Sequence, residues 1–559
     1  MEKYLEQYSL WKKAELPEEL KQQLDEVERN GEELFDRFCR HMTFGTSGLR
    51  GKMGVGTNRI NEAVIRRANM GVADYLTSKH DRSCMVIGFD TRLNSEKYAR
   101  QTAEDMALRG IDVYIFDRPT PVPVVSFAIR DLGADGGIMI TASHNPMEYN
   151  GYKVYDHSGN QIDDIKARKV EACIEKHSYF EKVQSCDNKG TITLCGDNIK
   201  EAYFDALEDC FLPWTDDMKQ VQDALANLSV VYTPLNGAGR DYAIKIFEKL
   251  GIKKIRFVEE QWEHDGTFPT CPSPNPENAR AFDLAAGQYA DEDTDIIIAT
   301  DPDSDRMGIM ARKDGTFRRL TGDQTGLLML DYICSCHQKG IGGRNLDGHK
   351  TVYKSFVSSP FAEDIAASYG VELVNVPTGF KNIALEMEKL EISGRAEDFL
   401  FGFEESLGYL YGNYTRDKDG LLALQMTCLM AACLKVRGSD LYGKLEELYQ
   451  KHGYVESKAV SIDFKSEKDR DRMNGIMEGL FDGRLTDLMG QKPVYDPSVR
   501  ELNMYKVRLE GGHQVIIRPS GTEMKIKIYA FARGSSGKEA AENLDELINR
   551  VQTFADMQK

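Results

Sequence analysis

The chain has 559 residues, 41% of them hydrophobic and 29% charged, with 71 Lys and Arg against 89 Asp and Glu for a formal net charge of −18. That length exceeds what one hydrophobic core supports and calls for about three to five domains. The acidic balance and the absence of a long basic run exclude tracking of a nucleic acid backbone or an anionic membrane, so a phosphorylated ligand would need a local Arg and Lys cluster.

Residues 1–40 place apolar and charged side chains at helical spacing, and the pattern then gives way to the glycine-rich "TFGTSGLRGKMGVGTNRI". "CMVIGFD", "VYIFD" and "GGIMI" read as strands, separated by helical stretches such as 95–109. The alternation restarts near residue 226 with "NLSVVYTPLNGAGRDYAIKIFEKLGIKKIRFVEE", a strand, loop, amphipathic helix and strand, and continues through "TDIIIATDPDSDR". A third round runs from "TVYKSFVSS" through the helix after Pro360, "VELVNVPTG", "FLFGFEES" and an apolar helix over 420–436. From about residue 456 the texture changes to "AVSIDF", "MYKVRLEGG", "HQVIIRPS" and "KIKIYAFA" as strands and a final helix from Lys538 to about Phe554. The expected fold class is α/β: three similar α/β units, with no strict sequence repeat, closed by a smaller α+β domain.

The amino terminus lacks an apolar signal core, and "LLALQMTCLMAACL" is too short and interrupted to span a bilayer. Eleven scattered cysteines include one CxC at Cys334 and Cys336 and no CxxC pair, which argues for reduced thiols and a cytoplasmic setting.

Each α/β unit offers a polar loop just after a strand, where ligands of such folds collect. "TASHNP" (141–146) leaves the strand that ends at Ile140 and on propensity alone is an ordinary turn. In "DPDSDR", Asp301, Asp303 and Asp305 alternate through a tight turn and can converge on one hard cation, with Mg²⁺ and its remaining water and phosphate ligands the natural occupant. Arg306 stands where an EF-hand needs Gly and Arg312 where it needs Glu, which rules out a calcium loop. In "GFEESLGY" the carboxylate of Glu404 and the hydroxyl of Ser406 suit adjacent sugar hydroxyls. "RPSGTE" (518–523) suits a terminal phosphate, and equally a surface turn. There is no P-loop, "NGAGRD" lacks the last glycine of the dinucleotide fingerprint, and "ASHN" is not a nucleophile elbow.

With "GTSGLRG", "TASHNP", "DPDSDR", "GFEES" and "RPSGTE" in that order between residues 45 and 523, the chain resembles the α-D-phosphohexomutase superfamily, most closely its phosphoglucomutase branch. The resemblance implies four domains around a central cleft: 1–205 with a phosphoserine loop, 206–317 with the metal loop, 318–445 with the sugar loop and 446–559 with the phosphate loop. The first three would be α/β domains on mixed sheets. It implies that Ser143 carries the transferable phosphate and, with Asp301, Asp303 and Asp305, completes the Mg²⁺ site. Lys153 in "NGYKVY" matches the family's general acid/base and Arg50 an active-site arginine, while His144 orients the serine loop or transfers a proton. Arg306, Lys381, Arg416 and Lys418 supply the local positive charge for substrate, beside Glu404 and Ser406, and Arg518, Ser520, Gly521 and Thr522 match the distal phosphate loop.

The reaction so implied interconverts glucose 1-phosphate and glucose 6-phosphate, with glucose 1,6-bisphosphate as intermediate and activator. The partner is a small phosphosugar, with no nucleic acid or membrane, and the chain is a monomer or a homodimer. Pentose or mannose phosphates are the nearest alternatives; a noncatalytic phosphosugar-binding protein and a phosphatase are alternatives of other classes.

Overall fold

The computed structural model of the chain describes residues 3–45, 48–79, 82–289, 293–464, 469–520 and 525–557. The first sheet contains β1 (Leu49–Lys52), β2 (Cys84–Phe89), β3 (Asp112–Phe116), β4 (Gly136–Ile140), β5 (Tyr149–Asp156) and β6 (Ile192–Cys195), in the order β1-β5-β4-β2-β3-β6. Its centre is parallel: β2 pairs with β3 and β4, and β3 with β6. A strand with helices on both faces must be apolar throughout, which is why every residue of "GGIMI" is buried. The opening helices Lys3–Lys13, Glu18–Val27 and Gly31–Phe38 join this core through Trp11, Leu24 and Phe38.

The second sheet runs β11-β10-β9-β7-β8, from β7 (Ser229–Thr233), β8 (Lys254–Phe257), β9 (Ile296–Thr300), β10 (Met307–Lys313) and β11 (Thr316–Arg319). The third runs β13-β12-β14-β15, from β12 (Thr351–Ser355), β13 (Glu372–Val376), β14 (Phe399–Glu404) and β15 (Gly408–Tyr411). The last sheet, β16-β19-β18-β17, is antiparallel throughout, with β16 (Tyr454–Asp463), β17 (Tyr505–Arg508), β18 (Gln514–Pro519) and β19 (Lys525–Gly534) packed under the helix Gly537–Met557. Three mixed α/β sheets and a fourth α+β unit are thus the fold class expected from the sequence.

One device recurs in the first three units. A buried parallel strand, β4, β9 or β14, turns back into an antiparallel neighbour, β5, β10 or β15. Each connecting loop holds one non-glycine residue in the left-handed region: Ser143 at φ 51°, Ser304 at φ 54° and Leu407 at φ 67°. Such a conformation costs on the order of 1–3 kcal/mol per residue and persists where the surroundings over-determine it, as they do at sites of chemistry.

The apolar helix Gly420–Val436 is buried from Gly420 to Leu434, and it packs on β15 and also on the helices Met218–Asn227 and Arg240–Leu250 of the second unit. A helix apolar on all sides is accounted for by burial on all sides. Among the described residues no single helix is long and apolar enough to cross a membrane; this helix and Leu441–His452 meet at 82°.

Candidate active site

The three strand-exit loops and the fourth sheet converge on one cavity of about 840 Å³. Arg50, Ser143, His144 and Lys153 line it from the first unit, and Glu277, Asp305, Arg306 and Arg319 from the second. Lys381, Glu404, Ser406 and Lys418 line it from the third unit, Arg518 and Lys527 from the fourth.

Ser143 leaves β4 with its amide donating to Thr141 Oγ1 at 2.8 Å, and its Oγ donates to Asp301 Oδ2 at 2.8 Å. The loop is held from behind by Arg92, a residue the sequence reading passed over. Its guanidinium, 3% exposed, donates to the carbonyls of Ser143 (2.5 Å), Asn145, Pro146 (2.9 Å) and Tyr149 (3.2 Å), and its Nε lies 3.3 Å from Asp90 Oδ2. Thr141 Oγ1 lies 2.6 Å from Asp90 Oδ2 and 3.1 Å from Asp303 Oδ2, so the serine loop and the aspartate loop share one network. "DTRLNS" is itself a polar loop at the exit of a strand, and the rule that singled out the other loops applies to it equally.

The carboxylates of Asp301, Asp303 and Asp305 each offer an oxygen within 4.8 Å of the others, and all three are buried. Burial, then the charges of Asp303 and Asp305, pushes Asp301 well above the usual carboxylate range, while at Asp303 burial is outweighed by the Lys153 ammonium, which holds it low. Among the described residues, Oδ1 of Asp303 and Oδ1 of Asp305 are buried without a hydrogen-bond partner, Asp305 Oδ1 having only Arg306 Nε at 3.9 Å. Oxygens of this kind are costly unless a cation or donor meets them, so three hard donors with two unused oxygens fit a divalent cation.

Lys153, on β5, puts Nζ 3.0 Å from Asp303 Oδ2 and 3.4 Å from Asp305 Oδ2. Burial would lower its pKa, but the two aspartates prevail and raise it. Lys418 Nζ meets Asp305 Oδ2 at 2.8 Å and Asp417 Oδ1 at 3.3 Å; Asp417 in turn accepts from Tyr155 and Gln161, both at 3.1 Å. The next loop residue but one, Gly420, must be glycine: a Cβ there would stand 2.7 Å from the Ser304 carbonyl, so this segment can lie directly on the aspartate loop. His144 Nδ1 lies 3.1 Å from Ser143 Oγ, and desolvation, then Arg306 and Arg50, drives its pKa well below 6.5, leaving a neutral imidazole. Arg50, on β1, reaches Asn145 Oδ1 at 3.5 Å.

Glu404 closes β14, and its Oε1 accepts the Gly379 amide at 2.7 Å; burial, then the Glu405 charge, pushes its pKa up to about 7. Lys381 spans to Asp164 Oδ1 at 2.7 Å, and Arg306 Nη1 lies 3.4 Å from Glu277 Oε1. Arg518 lies with its guanidinium 5.8 Å from the Tyr529 ring centre and Nη2 3.4 Å from its hydroxyl. The Ser520 amide donates to the Lys525 carbonyl at 2.8 Å, and Gly521 and Thr522 lie outside the described residues.

Arg416 departs from the expectation of substrate binding. Its side chain is fully enclosed, bonded through Nη2 to Glu391 Oε2 at 2.6 Å and through Nη1 to the Asn413 and Thr415 carbonyls. Glu391 also takes Arg130 at 3.0 Å, so this cation joins the first and third units rather than facing the cavity.

Family models described as phosphoglucomutase/phosphomannomutase alpha/beta/alpha domains I, II and III match residues 41–181, 201–315 and 321–452. A phosphoglucomutase of Staphylococcus haemolyticus (strain JCSC1435) is 32% identical over 526 residues, covering 91% of this chain and 93% of its own length. That of Staphylococcus aureus (strain USA300) is 31% identical over 552 residues, 94% and 95% of the two chains. Among solved structures, the open form of parafusin, a phosphoglucomutase from Paramecium, superposes with a TM-score of 0.69 at 19% identity over 92% of this chain and 95% of the other, a likeness of fold.

Proposed function

The chain belongs to the phosphoglucomutase/phosphomannomutase family and is a phosphosugar mutase, and from that premise we propose that it interconverts glucose 1-phosphate and glucose 6-phosphate through a phosphate carried on Ser143. The observation that carries this reading is the Ser143 hydroxyl bonded to Asp301, beside two unused aspartate oxygens and the Lys153 ammonium.

Asp301, Asp303 and Asp305 are the residues that would hold Mg²⁺, and the ion would supply withdrawal of charge from the phosphoryl group. In the first transfer a hydroxyl oxygen of the bound sugar phosphate attacks phosphorus on Ser143, the P–Oγ bond breaks, and glucose 1,6-bisphosphate forms. Lys153, as the ammonium, gives a proton to the departing Ser143 Oγ and recovers one from the attacking sugar hydroxyl. After the bisphosphate turns over, Ser143 Oγ attacks the other phosphate, and Lys153 gives a proton to the departing sugar oxygen and recovers the one released from Ser143 Oγ. Neutral His144 steadies Ser143 in either half of the cycle. Glu404 and Ser406 hold the sugar hydroxyls, while Arg306, Lys381, Lys418, Arg50 and Arg518 hold phosphate against the acidic surface of the molecule.

Chelation of divalent metal is expected to remove turnover and added Mg²⁺ to restore it; full activity in chelator would remove the metal from the reading. Glu404→Ala is expected to cost about 10- to 100-fold in kcat/KM on glucose 1-phosphate, because a misplaced sugar misses the phosphoserine. Wild-type kinetics on glucose 1-phosphate, mannose 1-phosphate and ribose 1-phosphate, measured side by side, test the sugar: a preference for either of the latter two contradicts the glucose reading.

A further inference from the structure

Behind the sugar loop the third unit buries a cation that the reaction does not use. Lys354, in β12, is 1% exposed and makes no ion pair among the described residues. Its Nζ donates to the Ser358 carbonyl at 3.1 Å and to Asn375 Oδ1 at 2.5 Å, and burial pulls its pKa down to about 8. A desolvated ammonium without a carboxylate partner is costly to keep, so its two bonds call for a reason.

Both bonds lead somewhere. Ser358 Oγ donates to Glu405 Oε2 at 3.0 Å and accepts the Glu405 amide at 2.9 Å, and Glu405 stands between Glu404 and Ser406. In the other direction, Asn375 Nδ2 reaches Glu363 Oε1 at 3.4 Å, and Glu363 Oε2 takes Arg508 Nη2, on β17, at 2.9 Å. The loop between Lys354 and Ser358 also touches both partners: Val357 lines the cavity and packs with Ile516, Tyr529 and Phe531 of the fourth unit. The segment is therefore a wedge, with the sugar loop on one side and the fourth sheet on the other.

We propose that Lys354 is a positioning residue: through Ser358 and Glu405 on one side, and Asn375, Glu363 and Arg508 on the other, it sets the sugar loop in register with the docked fourth unit. Docking fixes Arg508 and Val357, Lys354 fixes the carbonyl of Ser358, and Ser358 grips Glu405 at two points. The sugar grip and the distal phosphate grip then come to correct spacing together, which a substrate bound at both ends requires. This rests on Glu404 and Ser406 being the sugar grip.

The test is a set of variants assayed on glucose 1-phosphate: Lys354→Met, which keeps the length of the side chain without its charge, Ser358→Ala, Arg508→Gln, and Glu404→Ala as the control on the grip itself. Lys354→Met, Ser358→Ala and Arg508→Gln are each expected to raise KM about 10-fold or more with a smaller change in kcat, as lost positioning does. Because the groups act in series, the Lys354→Met/Arg508→Gln double variant is expected to fall no further than the worse single variant. If Lys354→Met does not fold, the Ser358→Ala/Arg508→Gln pair gives the same cycle. Unchanged KM in these variants with Glu404→Ala impaired would overturn the relay, and so would losses that multiply as for independent sites. A silent Glu404→Ala would instead overturn the sugar-grip reading.

Discussion

Ser143→Ala is expected to fold as the wild type does and to lose about 10⁴-fold or more of its mutase activity. In the proposed mechanism no other group replaces this oxygen: its side-chain neighbours are Asp301 Oδ2 at 2.8 Å, a carboxylate that would hold the cation, and His144 Nδ1 at 3.1 Å. Stability changes little, because the substitution removes the two side-chain hydrogen bonds of Ser143 Oγ, each worth about 0.5–1.5 kcal/mol net, from a segment whose backbone is held by Arg92 through four carbonyls. The alanine variant is expected to bind glucose 6-phosphate with near-wild-type affinity by calorimetry, and incubation with glucose 1,6-bisphosphate is expected to leave it inactive. An alanine enzyme that turns over at even a tenth of the wild-type rate would end the phosphoserine mechanism.

Lys153→Met is the second large effect. Loss of a positioned proton donor costs about 10²- to 10⁴-fold in kcat. Two further consequences separate this from a simple packing defect. Lys153 has a raised pKa in the folded state, so its contribution to stability is fully present below 10.5 and is lost only as pH rises through the folded value. Asp303 is the mirror case: held low by Lys153, it stabilises the fold above 3.8, and that contribution disappears as pH falls toward its folded value. At neutral pH the variant loses both, and without metal it is expected to melt several degrees below wild type, with Mg²⁺ recovering much of the difference as it compensates the aspartates. A variant with wild-type kcat and an unchanged melting temperature would leave Lys153 without a role at this site.

Central strands and the most apolar helix are legible in the sequence because their burial leaves only one kind of residue possible. "GGIMI" and "IIIAT" are apolar because both faces of a central parallel strand are covered, and the helix over 420–436 is apolar because it lies between two units. The strands that return from the loops are less legible: β5 carries Asn150, Lys153 and Asp156, which bond Ser95, Asp303 and Ser158, and these polar side chains break the hydrophobic run of a strand. Residues that hold other residues leave still less trace. Arg92 is one arginine in an ordinary polar loop until the fold brings four carbonyls of the serine loop onto it, and Lys354 reads as one charge in "TVYKSF" until β12 buries it. Arg416 errs the other way: "TRDKDG" puts two cations two residues apart, and the backbone turns Lys418 toward Asp305 and Arg416 toward Glu391. Composition reveals that positive charge is present in the loop, whereas its direction depends on partners 25 residues before one cation and 113 before the other.

The carrier role of Ser143 is open to direct measurement by phosphopeptide mass spectrometry on the wild-type enzyme, first treated with glucose 1,6-bisphosphate and then chased with excess unphosphorylated glucose analogue or with glucose 1-phosphate. The expected result is a single phosphate localised to Ser143 after the first treatment, exchanged for substrate-derived phosphate during turnover of isotopically labelled glucose 1-phosphate. Full mutase turnover with the Ser143 peptide unphosphorylated, or with the label on another residue, would contradict it.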